Sequence, residues 1–187
     1  MRWRPRLSVT AWISEEARVE QLVADLWRSV EAQTWYAALA LALVIPDIAG
    51  NVERPNEKSY ETRYAKWWET YVGDYWRGTS ECSPGHLPVL TGRDAYALRS
   101  SFLHEGQASI RMRDNVRHFV LLTPEEAGEA FHRDTMRGVM FLSIEHYCGE
   151  IILAATRWIE HRREAKLPIE PMRMVRWREG VIVPASE

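Results

Sequence analysis

Residues 33–45 read QTWYAALALALVI, and a helix of this composition is apolar on nearly every side. Such a helix is usually the buried centre of a bundle, because it has no polar face to present to solvent. Pro46 follows directly and is expected to kink the helix or end it nearby, although residues 48–50 could continue it beyond the kink. The stretch therefore predicts a mainly α fold organised around one central helix.

Helical patterns lie on both sides of this stretch. Residues 15–31 repeat apolar side chains at helical spacing behind a candidate N-cap, Ser14. Residues 57–72 should form a third helix, with an aromatic stripe that is either core or a surface for a partner. The stripe consists of Tyr60, Tyr64, Trp67, Trp68 and Tyr71. With a short helix at 91–106 and a long amphipathic one from about 137 to 163, the chain is expected to form a bundle of about five helices.

The segment 116–134 differs from the rest of the chain because its composition favours β-structure over helix. Val116 to Leu122 is β-like in composition, and Thr123 to Gly128 could form a turn before a second short strand at Ala130 to Asp134. The alternative is that Pro124 starts a helix directly. A short β-hairpin near 116–134 is the favoured interpretation.

A length of 187 residues is typical of one domain. We expect a single helical domain at 1–163, with a loose, basic N-terminal lead-in at 1–13. Glycines and prolines predict a loop at 73–88. The prolines after the last helix predict an extended C-terminal tail at 164–187.

Composition excludes several classes of protein. The net charge of -2 provides no general attraction to nucleic acid, although 21 of the 24 basic residues are arginines, whose planar fork suits phosphate. Two cysteines form no disulfide framework. The longest apolar run has 11 residues against the roughly 20 that span a membrane, and no secretory signal is recognisable. A soluble cytoplasmic protein without membrane association is expected.

No motif for a cofactor or a metal stands out. The chain has no phosphate-binding Walker loop, no glycine-rich dinucleotide fingerprint and no Gly-x-Ser-x-Gly elbow, so no cofactor is expected. His146 and Glu150 are four residues apart on one helical face, but further ligands for a metal are missing from the pattern. An ordinary exposed pair is the expectation for these two residues.

The best candidate for chemistry is the short helix at 91–106. Thr91 is a plausible N-cap, Asp94 stands at the third helical position, and Gly106 fits the position just past the C-terminus. The helix carries Arg99 and, five residues later, His104. Histidine can move a proton on or off a reacting hydroxyl, and arginine can hold the charge that develops on a phosphate.

The spacing by itself is not specific, since Arg113 and His118 repeat it and the chain has 21 arginines. A structural role is the alternative for the first pair. In that case Arg99 pairs with a carboxylate such as Asp94 or Glu105, and His104 caps carbonyl groups at the helix end. The helical context is what favours residues 91–106 over the second pair.

That context resembles the HEPN superfamily of helical proteins, which carry an Arg-x4-6-His motif near the end of a helix. The matching residues are Leu98-Arg99-Ser100-Ser101-Phe102-Leu103-His104-Glu105-Gly106. The aromatic helix before them and the closing helix after them are also similar to those of bacterial relatives, so the resemblance covers about residues 33–163. Active members often have Asn or Asp directly after the arginine, where this chain has Ser100.

The resemblance implies a homodimer in which the Arg-x4-6-His helices of two protomers face one cleft. Many such proteins are metal-independent endoribonucleases of toxin or phage-defence type, some with an antitoxin partner. Carried over to this chain, Arg99 would stabilise the scissile phosphate of RNA and His104 would act as the acid and base. Because other members are non-catalytic, the alternative is a helical module that binds a protein partner or a second copy of itself.

Overall fold

The computed structural model describes residues 15–76, 90–110, 116–127, 132–165, 175–178 and 181–184. The expected lead-in, the N-cap Ser14 and most of the expected loop at 73–88 lie outside these ranges. The helices are α1 Glu15–Glu31, α2 Trp35–Glu53, α3 Tyr60–Tyr71, α4 Gly73–Trp76, α5 Gly92–Glu105, α6 Pro124–Ala127 and α7 Ile144–Glu164. The strands are β1 His118–Leu122, β2 Asp134–Met136, β3 Val139–Ser143, β4 Val175–Arg178 and β5 Val181–Pro184. The prediction of a mainly α fold is confirmed.

Helix α2 is the centre of the bundle and packs against α1, α3, α5 and α7. Its core positions are fully buried, as the uniformly apolar composition predicts; they include Ala38, Leu39, Ala42, Leu43, Ile45 and Ala49. Pro46 does not end the helix, which runs on to Glu53. Contacts with four neighbouring helices offset the hydrogen bond that the proline cannot donate.

By length and composition alone, α2 could cross a membrane. It has 19 residues, and its most apolar window has a mean hydropathy of 1.5. The expectation of no spanning segment rested on an apolar run that stopped at Pro46, whereas the helix continues for seven residues beyond it. A buried core helix has the same properties, and eight residues of α2 are buried within the bundle.

The aromatic stripe on α3 is mostly core. Trp67 and Trp68 are fully buried, while Tyr60 at the start of the helix remains 65% exposed. The N-cap is Ser59, whose hydroxyl oxygen accepts a hydrogen bond from the Thr62 N–H at 3.2 Å. The helix therefore begins three residues later than the expected boundary at residue 57. After it, residues 73–76 form the short helix α4 instead of the start of a loop.

The expected hairpin near 116–134 is wrong in its pairing. Strand β1 pairs with β3 in parallel, and β2 pairs with β3 antiparallel, which gives the order β1-β3-β2. The true hairpin connects β2 to β3 through Arg137 and Gly138, at φ 52° and 81°, the left-handed pair that a tight hairpin turn requires. Pro124 starts the helix α6, as the alternative interpretation held.

The long closing helix begins later than expected. The sequence pattern suggested a start near Arg137, but residues 139–143 form β3 and α7 begins at Ile144 behind the N-cap Ser143. Contiguous apolar residues fit a buried strand and a buried helix equally well, which explains the error. Within the expected C-terminal tail, β4 and β5 form an antiparallel pair.

Backbone contact between α3 and α5 depends on Gly92. A Cβ atom there would lie 2.6 Å from the Ala65 carbonyl oxygen and 2.7 Å from the Ala65 Cα. We expect Gly92→Ala to lower the free energy of unfolding by about 1–3 kcal/mol, the usual cost of overpacking. In the control Gly149→Ala, the new Cβ meets no heavy atom within 4 Å, so helix propensity should raise stability by about 0.5–1 kcal/mol. Urea denaturation measures both changes, and equal effects would contradict the close helix contact.

Cys148 should be chemically inert in the folded protein. Burial, with a smaller contribution from the Glu145 carboxylate, raises the pKa of its thiol from the ordinary 9.0 to about 12. Because only the thiolate reacts, a Cys82→Ser variant should not react with a disulfide reagent at pH 8 until it is denatured. Its raised pKa also contributes stability that is complete below about pH 9 and is lost as the pH rises toward 12. Rapid modification of the native variant would contradict the burial of this thiol.

Candidate functional site

Helix α5 has the two ends that the sequence predicts. The Thr91 hydroxyl accepts a hydrogen bond from the Asp94 N–H at 3.1 Å and donates one to the Asp94 carboxylate at 3.0 Å. At the other end, Gly106 takes the left-handed conformation with φ 65°, and its N–H donates to a carbonyl of the last turn. Arg99 and His104 therefore lie in the C-terminal half of a helix with both ends capped.

The two side chains contact each other despite a rotation of about 140° between their positions. Nη1 of Arg99 lies 3.2 Å from Nε2 of His104, and His104 is exposed. Arginine can only donate, so Nε2 must accept. A hydrogen bond of this direction requires the tautomer that carries its proton on Nδ1.

Arg99 is held from its other side by Asp47 of α2. Nη2 donates to the Asp47 carboxylate at 2.6 Å, and the two side chains are 19% and 24% exposed. The structural alternative, in which Arg99 pairs with a carboxylate such as Asp94 or Glu105, is therefore met in kind, but the acid is Asp47. Asp47 was missed because it is distant in sequence, although it is the first charged residue in an otherwise apolar helix.

A buried phenol contributes to the electrostatics around this ion pair. Tyr64 of α3 is fully buried, and burial is the main reason that the pKa of its phenol is raised well above the ordinary value. The Asp47 charge raises this pKa further, while the Arg99 charge lowers it, which places both groups within electrostatic range of the phenol.

A second polar cluster surrounds Glu150 of α7, which is only 8% exposed. Its carboxylate accepts hydrogen bonds from Trp76 Nε1 at 2.8 Å, from Arg133 Nε at 3.1 Å and from Arg133 Nη2. Nε2 of His132 lies 3.1 Å from the same carboxylate. The expectation of an ordinary exposed pair at His146 and Glu150 is therefore wrong for Glu150. The sequence offers one indication of this burial, because Glu150 stands beside the apolar face of its helix.

His146 is exposed and has a different environment. Its ring stacks on that of His132 with centroids 5.1 Å apart, and its Nδ1 lies 2.9 Å from the Ser143 hydroxyl. Ser143 is buried at the N-terminus of α7, so its hydroxyl serves as a cap and is not open to a substrate. This cluster connects α4, the residues before β2 and α7, and its contacts are those of a structural link.

Only His118 of the competing pair lies in the described part of the chain. His118 is exposed, and its Nδ1 lies 3.2 Å from the Ser109 hydroxyl. Arg113, the other member of that pair, falls outside the described ranges. Within those ranges, no group of three or more His, Cys, Asp or Glu side chains is placed to hold a metal ion.

Arg99 and His104 thus meet at an accessible helix end, with Asp47 as a partner that the sequence did not reveal. No protein-family model matches the chain, and neither do any of the curated proteins or the solved structures. Any function must therefore be argued from the chemistry of this site.

Proposed function

We propose that this protein is a HEPN-like, metal-independent endoribonuclease of the cytoplasm, in which Arg99 binds the scissile phosphate and His104 transfers protons. One observation carries the proposal: an exposed imidazole lies 3.2 Å from a guanidinium that a carboxylate holds in place. The three groups come from two packed helices, so their geometry does not depend on a loop.

The reaction uses the RNA's own 2′-hydroxyl as nucleophile. Its oxygen attacks the adjacent phosphorus, the bond from phosphorus to the 5′-oxygen breaks, and a 2′,3′-cyclic phosphate and a 5′-hydroxyl form. The proton of the 2′-hydroxyl passes to Nε2 of His104, and the departing oxygen takes up a proton from an imidazolium or from solvent. Arg99 stabilises the charge that accumulates on the phosphate oxygens.

The contact between Arg99 and His104 links substrate binding to proton transfer. A phosphate oxygen that accepts from Nη1 of Arg99 competes with Nε2 of His104 for this donor. Binding of substrate therefore releases the Nε2 lone pair for the 2′-hydroxyl proton. Asp47 keeps the guanidinium in position during this exchange, because it binds the other terminal nitrogen, Nη2.

We further propose that the active form is a homodimer in which the C-terminal ends of two α5 helices face one cleft. The experiment combines sedimentation, which reports the oligomeric state, with cleavage of an unstructured RNA in excess EDTA. We expect a dimer whose cleavage is unaffected by the chelator. A protein that cleaves none of several unrelated single-stranded RNAs in this buffer would contradict the proposal.

The second candidate function is a non-catalytic interaction module, and exposed apolar side chains favour it. Trp27 on α1 and Leu153 on α7 are 54% and 55% exposed, and Trp27 lines a groove of about 570 Å³ between these helices. Exposed apolar surface of this kind often marks a protein contact. If Trp27→Ala disrupts self-association while RNA stays intact with every preparation, the interaction module is the better account.

A further inference from the structure

A stacked pair of aromatic rings, one exposed and one partly buried, joins the same two helices as the proposed site. The ring of Tyr36, in the first turn of α2, stacks on that of Phe102 with centroids 5.8 Å apart and an interplanar angle of 21°. Tyr36 is 80% exposed, which is more than any other large hydrophobic side chain in the described part of the chain. One face of its ring contacts Phe102, and so much exposure leaves the other face open to solvent.

The stack and the ion pair belong to the same contact between α2 and α5. Phe102 is three residues after Arg99, so their Cβ atoms are about 5–6 Å apart on the surface of α5. Each of the two side chains reaches a residue of α2: Phe102 contacts Tyr36, and Arg99 contacts Asp47. Tyr36 and Asp47 are 11 residues apart on α2, about 16 Å along its axis, so the open face of Tyr36 and the proposed phosphate-binding group lie at the two ends of this seam.

We propose that Tyr36, supported from behind by Phe102, is a stacking subsite for an unpaired base of the nucleic acid whose phosphate binds Arg99. This inference rests on the proposed function and adds to it a binding position for one base of the single-stranded substrate. A base within a duplex has both faces covered by its neighbours and cannot reach the ring. Stacking on an aromatic side chain together with a nearby phosphate contact is how proteins commonly hold single strands.

The surroundings of Tyr36 favour a base over a second protein chain. A protein interface needs contiguous apolar surface, whereas the other exposed residues next to this ring in the sequence are small or polar. They are Ala32, Gln33, Thr34 and Ala37. One flat ring among such neighbours fits a flat, separate ligand, and a nucleobase meets that description.

The test measures binding independently of cleavage. A fluorescent single-stranded oligonucleotide with 2′-O-methyl groups cannot be cut, and its dissociation constant is measured at low salt for wild type, Tyr36→Phe and Tyr36→Ala. We expect Tyr36→Phe to bind like wild type and Tyr36→Ala to bind roughly 5- to 150-fold more weakly, the loss of one base stack. The same oligonucleotide in duplex form should bind all three proteins equally weakly.

An abasic scan then localises the contact. Removal of one particular base should weaken binding to wild type and leave binding to Tyr36→Ala unchanged, because the base and the ring are partners. Unchanged affinity of Tyr36→Ala, or additive losses at every abasic position, would overturn the subsite. If Tyr36→Ala instead converts a dimer to monomers in sedimentation, Tyr36 is an interface residue and the subsite is also overturned.

The two proposals fail in different ways. If the oligonucleotide binds through Tyr36 but cleavable RNA stays intact, the stacking subsite stands and the ribonuclease proposal fails. If Tyr36→Ala and wild type cleave RNA at the same rate and bind it with the same affinity, the ribonuclease proposal stands and the subsite proposal fails.

Discussion

Replacing His104 with alanine is expected to slow RNA cleavage by about 10²–10⁴-fold, the usual contribution of a positioned acid or base. In the proposed mechanism, phosphate binding to Arg99 releases the lone pair of this imidazole, and no other imidazole contacts the guanidinium in the described structure. The loss should appear in the rate constant at saturating RNA and much less in the affinity for RNA, because Arg99 and Asp47 remain. Single-turnover kinetics separate these two quantities.

The matched control is His118→Ala. His118 is also exposed, and its Nδ1 lies near a serine hydroxyl instead of an arginine. The His118→Ala variant should cleave RNA at the wild-type rate. Circular dichroism should show that both histidine variants keep their helix content. If the two histidine variants lose activity equally, or if His104→Ala keeps the wild-type rate, His104 is not the proton-transfer group.

Glu150→Ala is expected to lower the free energy of unfolding by about 3 kcal/mol. Removing one partner of a buried ion pair usually costs about 3–5 kcal/mol, because the remaining charge is left buried without compensation. The lower end applies here, since the Arg133 side chain is 36% exposed and can regain water. Trp76 and His132 are more enclosed and lose their acceptor outright. For a chain of this size, the melting temperature should fall by roughly 6–12 °C.

Glu160→Ala on the same helix is the control for Glu150→Ala. Glu160 is exposed, so its removal should change the free energy of unfolding by less than about 0.5 kcal/mol. Equal melting temperatures for the two variants would show that the Glu150 cluster does not hold α4, the residues before β2 and α7 together. A Glu150→Ala variant that folds normally but loses RNA cleavage would instead assign this cluster to the reaction.

Features that depend on neighbouring residues were predictable from the sequence. The bounds of α1 follow from apolar periodicity, and both ends of α5 follow from Thr91 and Gly106. The central position of α2 follows from a composition that has no polar face. In each case, the chemistry of the segment and its immediate flanks determines the local structure.

Features that depend on distant partners were not predictable in this way. Residues 139–143 carry an apolar run that suits a helix or a strand, and pairing with β1 and β2 makes it a strand. Pro46 disfavours a continuous helix, and packing against four other helices outweighs that local preference. At these positions the local sequence favours one secondary structure only weakly, and tertiary contacts determine which one forms.

The candidate site divides along the same line. Arg99 and His104 were singled out because they share one helix, and a single helix fixes their relative positions. The contact between Arg99 and Asp47 depends on how two helices pack. The same holds for the contacts of the Glu150 carboxylate with Trp76 and His132, which lie on other segments. The sequence offers one weak indication of the burial of each acid. Asp47 is a charged residue within an apolar helix, and Glu150 stands beside the apolar face of its helix.

The most direct test of the central claim is the chemistry of the cut ends. Mass spectrometry of fragments from a defined single-stranded RNA, cleaved in EDTA, should find 2′,3′-cyclic phosphate and 5′-hydroxyl ends. A single 2′-deoxy substitution at the cut position should abolish that cut, because it removes the attacking oxygen together with the proton assigned to His104. Fragments that end in a 3′-hydroxyl and a 5′-phosphate, or a cut that persists at the deoxy position, would contradict the role proposed for Arg99 and His104.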